Sequence, residues 1–244
     1  MSKKKIHWVW KILSFAFFCC LCPVHGQETM DENIEIATFA GGCFWCVQHD
    51  FNQIDGIVST TVGYAGGHKL DPTYKEVSSG TTGHLEAVQV VYNPQRISYE
   101  KLLDDYWKMI DPTRDDGQFC DSGPQYRPVI FYHNLSQKQA AERSKQALVQ
   151  SKRFPRVLVQ ILPETTFYAA EEYHQNYSKT HFIRYKFYRY RCGRDKRLKD
   201  LLGYGLNFTS IRLPVIEDLR QLRMVSATSS VESRVEESSL GNSR

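Results

Sequence analysis

The sequence predicts an α+β domain: one mixed β-sheet with helices packed on it in two or three layers. Three observations carry that prediction. Alternating or β-branched stretches recur at 34–40, 57–64, 85–92, 128–133 and 157–162. Helical segments separate some of these stretches, while the second and third follow one another directly, so crossovers are mixed with a hairpin. The length of 244 residues suits a single domain with a sizeable core and further sequence at its ends.

Ile34 to Ala40 alternates and then turns apolar, as a strand does, and Gly41-Gly42 breaks it. Apolar side chains then fall at Phe44, Val47, Phe51 and Ile54, spacings of three and four. That period predicts a helix over Cys43–Ile54, with Cys43 at or near its N-terminus. Ile57–Tyr64 and Leu85–Tyr92 read as strands, joined by a long loop rich in Gly, Pro and Ser. Ser98 stands at the cap of the next helix, with Lys101 in place of a capping-box acid. The apolar face of that helix is Leu102, Leu103, Tyr106, Trp107 and Ile110, and Asp111-Pro112 ends it.

Residues 111–127, DPTRDDGQFCDSGPQYR, have no period, and a loop of this length in a compact domain is usually functional or disordered. Pro128–His133 is a strand. Ser136 and Gln139 form a capping-box pattern that opens a polar helix running to about Phe154. Val157–Leu162 is a further strand, and helical pieces follow around Ala169–Ser178 and Asp195–Leu202. After about Leu213 the composition turns Ser-rich and charged, as in disordered tails.

The N-terminal residues are of a different kind. MSKKK is basic, Ile6–Val24 is mostly apolar, and VHG before Gln27 tolerates cleavage, which together read as a signal peptide. An uncleaved membrane anchor is the second reading, because the run is near the lower length for a spanning helix. Both put the domain outside the cytoplasm, periplasmic or secreted. The resulting divisions are a signal peptide at 1–26, a polar lead at 27–33, a folded domain at 34–204 and a polar tail at 205–244.

The net charge of +4 is small and its basic residues are scattered, so no nucleic-acid partner is expected. Of seven cysteines, Cys43, Cys46, Cys120 and Cys192 lie beyond the apolar leader. In an oxidising compartment four thiols default to two structural disulfides. Cys43 is distinguished from that default by its place. A helix N-terminus stabilises an anion, so a lowered thiol pKa is expected there. Phe44 and Trp45 point about 100° apart on a helix, so at least one lines a pocket at Cys43. An apolar wall beside a thiolate suits a small methyl or thioether group.

GGCFWC, GYAGG, PTYKEVSSGTTGHLEAV, DPT, QFCDSGPQYRPVIF and FYAAEEYHQNY together resemble the peptide methionine sulfoxide reductases of type A, over about Ile34–Tyr204. The resemblance implies a protein-repair enzyme of oxidative stress, acting on the S epimer of methionine sulfoxide, peptide-bound or free. It assigns Cys43 as the nucleophile that attacks sulfur and Glu86 as the proton donor to oxygen. Such an acid must be neutral near pH 7, which needs burial. Tyr74 and Tyr126 match polar contacts to the oxygen, Asp121 matches a residue that holds substrate or a water, and Phe44 and Trp45 match the methyl pocket.

The product on Cys43 is a sulfenic acid, which a second thiol resolves. The family's habit of a late resolving cysteine favours Cys192, with Gly193 giving slack. Cys46 is second, where the commonest family pattern has glycine, and Cys120 or direct reduction is third. No bound cofactor or metal is implied; an external dithiol such as thioredoxin regenerates the enzyme, and a monomer is expected.

Two rivals stand beside this reading. A secreted thiol–disulfide oxidoreductase would use Cys43-x-x-Cys46 at a helix start. A zinc-stapled or disulfide-stapled binding module would use the four cysteines structurally, although there is one C-x-x-C and no H-x₃₋₅-H near Cys120 or Cys192. His84 and His174 read as hydrogen-bonded structural histidines, Glu171-Glu172 as a solvated helix face, and Arg184–Arg197 as helix surface interleaved with buried tyrosines.

Overall fold

The computed structural model of the chain describes residues 33–203. The predicted signal peptide, most of the polar lead and the polar tail lie outside the described residues. Among the described residues no helix is long and apolar enough to cross a membrane.

In chain order the elements are β1 Glu35–Ala40, α1 Phe44–Phe51, β2 Ile57–Ala65, α2 Tyr74–Ser78, β3 Leu85–Tyr92, α3 Tyr99–Met109, β4 Gly117–Gln118, β5 Asp121–Ser122, β6 Val129–Tyr132, α4 Leu135–Gln150, β7 Gln160–Pro163, β8 Tyr168–Ala169, α5 Tyr177–Thr180, α6 Phe182–Arg191 and α7 Arg194–Leu202. The main sheet has six strands in the order β7-β6-β1-β3-β2-β8, and β4 and β5 form a separate small hairpin. All neighbours in the sheet run antiparallel except β6 and β7. This is the mixed α+β sheet the sequence predicts. Its centre, β1-α1-β2-β3-α3-β6, is a split βαβ arrangement, in which β1 and β3 meet in the middle.

β1 and β3 are near-continuous apolar runs because both of their faces are covered. On one face, Phe39 stacks between Phe51 of α1 and Tyr106 of α3, with centroids 5.1 and 5.0 Å away. Tyr106 also donates its hydroxyl to the Ala40 carbonyl at 2.7 Å, which fixes α3 to the end of β1. On the other face Ala40, Leu85, Val129 and Phe131 pack under Leu162 and Phe167. Ser98 caps α3 as predicted, accepting from the Lys101 N–H at 3.2 Å.

Several local predictions are corrected. The cap of α4 is Asn134, whose Oδ1 accepts from the Gln137 N–H at 2.9 Å, so Ser136 lies inside the helix. The strand after α4 is Gln160–Pro163 rather than 157–162, because the Leu158 N–H is held by the Pro112 carbonyl at 2.8 Å before the chain reaches β6. The piece expected to be helical around Ala169 begins as the edge strand β8, paired to Gly63 and Tyr64. The long loop before β3 holds α2, started by a full capping box between Thr73 and Glu76.

Candidate active site

The Gly41-Gly42 turn converts β1 into α1 and leaves Cys43 as the N-cap residue of the helix. Gly42 has φ +83°, and a Cβ there would lie 2.6 Å from the Cβ of Gln118, so only glycine fits. The turn is held from below by Arg194, 1 % exposed, which donates to the carbonyls of Gly41 (3.3 Å) and Met109 (2.6 Å) and lies 4.0 Å from Asp50. Its guanidinium also sits 4.5 Å above the Phe119 ring. The basic run 184–197 is therefore not all surface: Arg194 is a buried anchor of the nucleophile turn.

A cavity of about 280 Å³ opens at Cys43, lined by Phe44, Trp45, Tyr74, Glu86, Asp121, Tyr126 and Tyr188. It brings together every predicted substrate-contact residue with the predicted nucleophile and acid. Three segments remote in sequence supply the wall. Tyr74 opens α2, Tyr126 ends a one-turn 3₁₀ helix over Pro124–Tyr126, and Asp121 belongs to the β4–β5 hairpin. A roomier cleft of about 730 Å³ lies elsewhere, lined by Trp107, Leu148 and Phe154. Its lining holds no cysteine, histidine or glutamate, so the smaller cavity is the candidate site.

Glu86 stands near the start of β3, opposite Tyr64 of β2, and is 3 % exposed. Its Oε2 accepts from the Phe44 N–H at 2.9 Å. Burial pushes its pKa up to about 8, against the opposing pull of that N–H. Glu86 is thus a neutral acid at pH 7, aimed at the helix start that carries Cys43. Burial likewise raises the Tyr74 and Tyr126 hydroxyls, which remain protonated donors.

The predicted lowering of the Cys43 pKa is not met. Burial pushes the thiol up, and Cys46, Glu86 and Asp121 add to the shift. The first turn of the helix does not offset a buried site that already holds two carboxyl groups. Cys46, 1 % exposed, is shifted down instead, chiefly by the hydrogen bond with Cys43, with Arg194 and Arg189 assisting. The two thiols form a buried, neighbouring pair, with burial raising Cys43 and the contact with Cys43 lowering Cys46.

Phe44 is buried against Tyr64 and His174, with centroids at 6.0 and 5.2 Å. Trp45 is partly open, stacks on Tyr177 at 3.8 Å and donates Nε1–H to His174 Nδ1 at 3.1 Å. His174 is therefore a structural partner of the pocket wall. His84 is also structural, with Nε2 2.8 Å from the Lys69 carbonyl and Nδ1 accepting from the Gly67 N–H. Glu171 is not a solvated helix face: it accepts from the Tyr64 hydroxyl at 2.7 Å and the Tyr74 N–H at 2.9 Å, tying β2 to α2.

Tyr188 is the pocket residue that sequence reasoning misses. Its hydroxyl donates to Asp121 Oδ2 at 2.6 Å, and its ring meets Trp45 edge-on. The three-residue spacing of Tyr185 and Tyr188 within a basic helix was the available signal. Burial raises the Asp121 pKa, while Tyr188, Arg194 and the Cys43 N–H pull it down.

Cys120 and Cys192 form a disulfide, with Cα atoms 4.9 Å apart, while Cys43 and Cys46 are free thiols. Of the two default disulfides, one is present. It borders the site directly: Cys192 Sγ lies 4.0 Å from Asp121 Oδ2. Cys120 is exposed and Cys192 half-buried.

Comparison with known proteins agrees with this geometry. A family model described as peptide methionine sulfoxide reductase matches residues 35–203. The peptide methionine sulfoxide reductase MsrA 2 of Caulobacter vibrioides is 48% identical over 169 residues, 69% of this chain and 86% of that protein. The MsrA of Listeria monocytogenes is 52% identical over 164 residues, 67% of this chain and 93% of its own. Among solved structures, Mxr1 of Saccharomyces cerevisiae in reduced form superposes with TM-score 0.57 at 35% identity, covering 60% of this chain and 85% of that one. The methionine sulfoxide reductase A of Corynebacterium diphtheriae gives 0.55 at 32% identity, with 60% and 74% covered.

Proposed function

This chain belongs to the peptide methionine sulfoxide reductase family, and on that premise we propose that Cys43 attacks the sulfoxide sulfur while Glu86 protonates the oxygen. The chain is an oxidoreductase that reduces methionine sulfoxide to methionine. The observation that carries the residue roles is the pairing of a buried neutral carboxyl, Glu86, with the helix start that presents Cys43. Two tyrosine hydroxyls and a carboxyl converge with Cys43 on one cavity, a donor set suited to a substrate oxygen, and with the family membership this leaves the CxxC rival not favoured.

Sulfoxide oxygen departs poorly until it is protonated, and a positioned acid contributes about 10²–10⁴-fold. Glu86 gives its proton to the oxygen, with Tyr74 and Tyr126 donating hydrogen bonds to the same atom. Cys43 loses its proton as its sulfur attacks, and that proton returns to the carboxylate that Glu86 leaves in the same cavity, which restores the acid. Oxygen passes to Cys43, leaving methionine and a Cys43 sulfenic acid. The thiol is oxidised by two electrons, the substrate sulfur is reduced by two, and no net proton is consumed. Phe44 and Trp45 receive the methyl group.

Cys192 resolves the sulfenic acid, forming a Cys43–Cys192 disulfide and water. Cys120 then attacks Cys192, which frees Cys43. The closing state of that sequence has Cys43 and Cys46 as thiols and Cys120 bonded to Cys192, and the pairing of Cys120 with Cys192 in the fold supports this order. A thioredoxin-like dithiol reduces that last bond. The preferred substrate is the S epimer in oxidised proteins or as free methionine sulfoxide, and the enzyme acts as a monomer. The leader at 1–26 places it outside the cytoplasm, a reading that rests on its basic start and apolar run.

Turnover of each sulfoxide epimer by the wild type and by Cys43→Ser tests the mechanism. The wild type is expected to reduce the S epimer and the variant neither. Undiminished activity in the variant, or insulin reduction by the wild type without sulfoxide reduction, would overturn it.

A further inference from the structure

We propose that the basic groove beside α6 and the Cys192–Gly193 turn is the docking surface for the protein dithiol that reduces the Cys120–Cys192 disulfide, and that this partner meets it with carboxylates. The inference rests on the redox cycle above and names the surface and chemistry of its last step.

The need for such a surface follows from burial. Cys43 is 6 % and Cys46 1 % exposed, so neither sulfur meets a protein-sized reductant. Cys120 is exposed, and Cys192 joins the C-terminal end of α6 to Gly193. A Cβ on Gly193 would meet nothing within 4 Å, so the backbone beside the disulfide is open to a partner.

A groove of about 1240 Å³ begins at that glycine. Lys186, Arg191 and Lys196 line it with Tyr190. The one carboxylate in the lining, Asp195, is already held by Arg189 at 2.7 Å, and Lys196 is held by Asp200 at 3.0 Å, so the charge left to a partner is that of Lys186 and Arg191. Lys186 sits 5.5 Å over the ring of Phe182 and Arg191 5.8 Å over that of Phe187. Those rings, with Ile183 and Tyr190, are among the exposed large apolar side chains of the protein, Tyr190 at 82 % and Ile183 at 81 %. Exposed aromatics interleaved with arginine are the composition of interface anchors. A positive groove selects and steers an acidic partner. An anionic bilayer shares part of this chemistry, but a flat surface does not fill a groove, and the bilayer would leave the adjacent disulfide without a role.

In the docked pair a partner thiolate attacks the exposed Cys120 sulfur, and Cys192 leaves as a thiolate that takes up a proton. The second partner thiol then attacks the mixed disulfide and frees Cys120. The partner ends as a disulfide, and two electrons and two protons reach Cys120 and Cys192.

The test uses the full chain with Lys186→Glu and Arg191→Glu together. Methionine sulfoxide turnover is driven by thioredoxin as the protein probe or by dithiothreitol, at low and high salt. The double variant is expected to lose about tenfold or more of the thioredoxin-driven kcat/KM at low salt. Its dithiothreitol-driven turnover stays at the wild-type level, and its salt dependence flattens. An unchanged thioredoxin-driven rate, or an equal loss with dithiothreitol, overturns the proposal. So does weakened sedimentation with phosphatidylglycerol vesicles while thioredoxin-driven turnover is intact, which would mark a lipid surface. Wild type that dithiothreitol cannot turn over would instead sink the reductase cycle on which the proposal rests.

Discussion

The backbone N–H of Phe44 donates to Oε2 of Glu86 at 2.9 Å, between residues 42 apart in sequence. That bond ties the acid on β3 to the first turn of the helix that presents Cys43. Gln at position 86 still accepts the bond through its carbonyl but has no acidic proton. Glu86→Gln is therefore expected to fold and to lose about 10²–10⁴-fold in the rate of sulfoxide reduction. Single-turnover kinetics with saturating substrate measure this directly. The wild-type rate should fall as pH rises through about 8, where Glu86 ionises, and the variant should lack that limb. A variant within a few-fold of wild type would remove Glu86 as the acid.

The same carboxyl makes a prediction about stability. Its pKa rises from 4.5 in the open chain to about 8 in the folded one. Between those values the folded state binds more protons than the unfolded state, so stability declines with pH across that window and levels off above it. A tenfold change in an ionisation constant corresponds to about 1.4 kcal/mol. Glu86→Gln, which has no charge to bury, should gain on the wild type between pH 5 and 8 by roughly 3–4 kcal/mol. Urea denaturation at those two pH values checks the difference. A constant gap would show that the carboxyl is already ionised in the fold.

What the sequence made legible was local. The strand–glycine–helix pattern located β1, the turn and α1, and so the N-cap place of Cys43. Long motifs located Glu86, Tyr74, Asp121 and Tyr126, which the fold gathers into one cavity. The unseen parts depend on contacts between distant segments. Tyr188 reaches Asp121 across 67 residues, and Arg194 disappears into the core from the middle of a basic run. The Tyr185–Tyr188 spacing marks a buried helix face but does not name its partner, and no period reports on Arg194. The expected lowering of the Cys43 pKa failed for a related reason: the dipole at a helix end can be read locally, whereas burial beside Glu86 and Asp121 cannot.

Tyr188→Phe isolates the contact that the sequence hid. The variant keeps the ring against Trp45 and removes the donor to Asp121. A hydrogen bond to a charged group is worth about 1.5–3 kcal/mol, so kcat/KM should fall roughly 10- to 100-fold. Tyr188 holds the Asp121 pKa down, so without it the carboxyl takes up a proton at higher pH. The loss should be greatest where Asp121 is ionised in the wild type and shrink at low pH, where it is neutral in both proteins. Loss that is uniform across pH would make Tyr188 a packing residue only.

Gly42→Ala tests the turn itself. The new Cβ meets φ +83° and a 2.6 Å approach to Gln118. Gln118 in turn holds both backbone groups of Asp111, at 2.8 and 2.9 Å. Strain of this kind costs about 1–3 kcal/mol. The variant should melt earlier and lose activity in proportion to the displacement of Cys43. A wild-type melting temperature would refute the close approach.

Cys120→Ser separates the two candidate resolving thiols. The disulfide spans 72 residues, and in the chain-entropy account its loss costs the oxidised protein roughly 4 kcal/mol. The redox outcome is the sharper measurement. One equivalent of substrate, without reductant, should leave the reduced wild type with Cys120 bonded to Cys192 and Cys43 returned to the thiol. In the variant the exchange should stop one step earlier, with Cys43 bonded to Cys192. Peptide mapping by mass spectrometry distinguishes the two. A Cys43–Cys46 disulfide in the variant would transfer the resolving role to Cys46, whose thiol already neighbours that of Cys43. Cys192 would then serve only to carry electrons between that buried pair and the exposed Cys120.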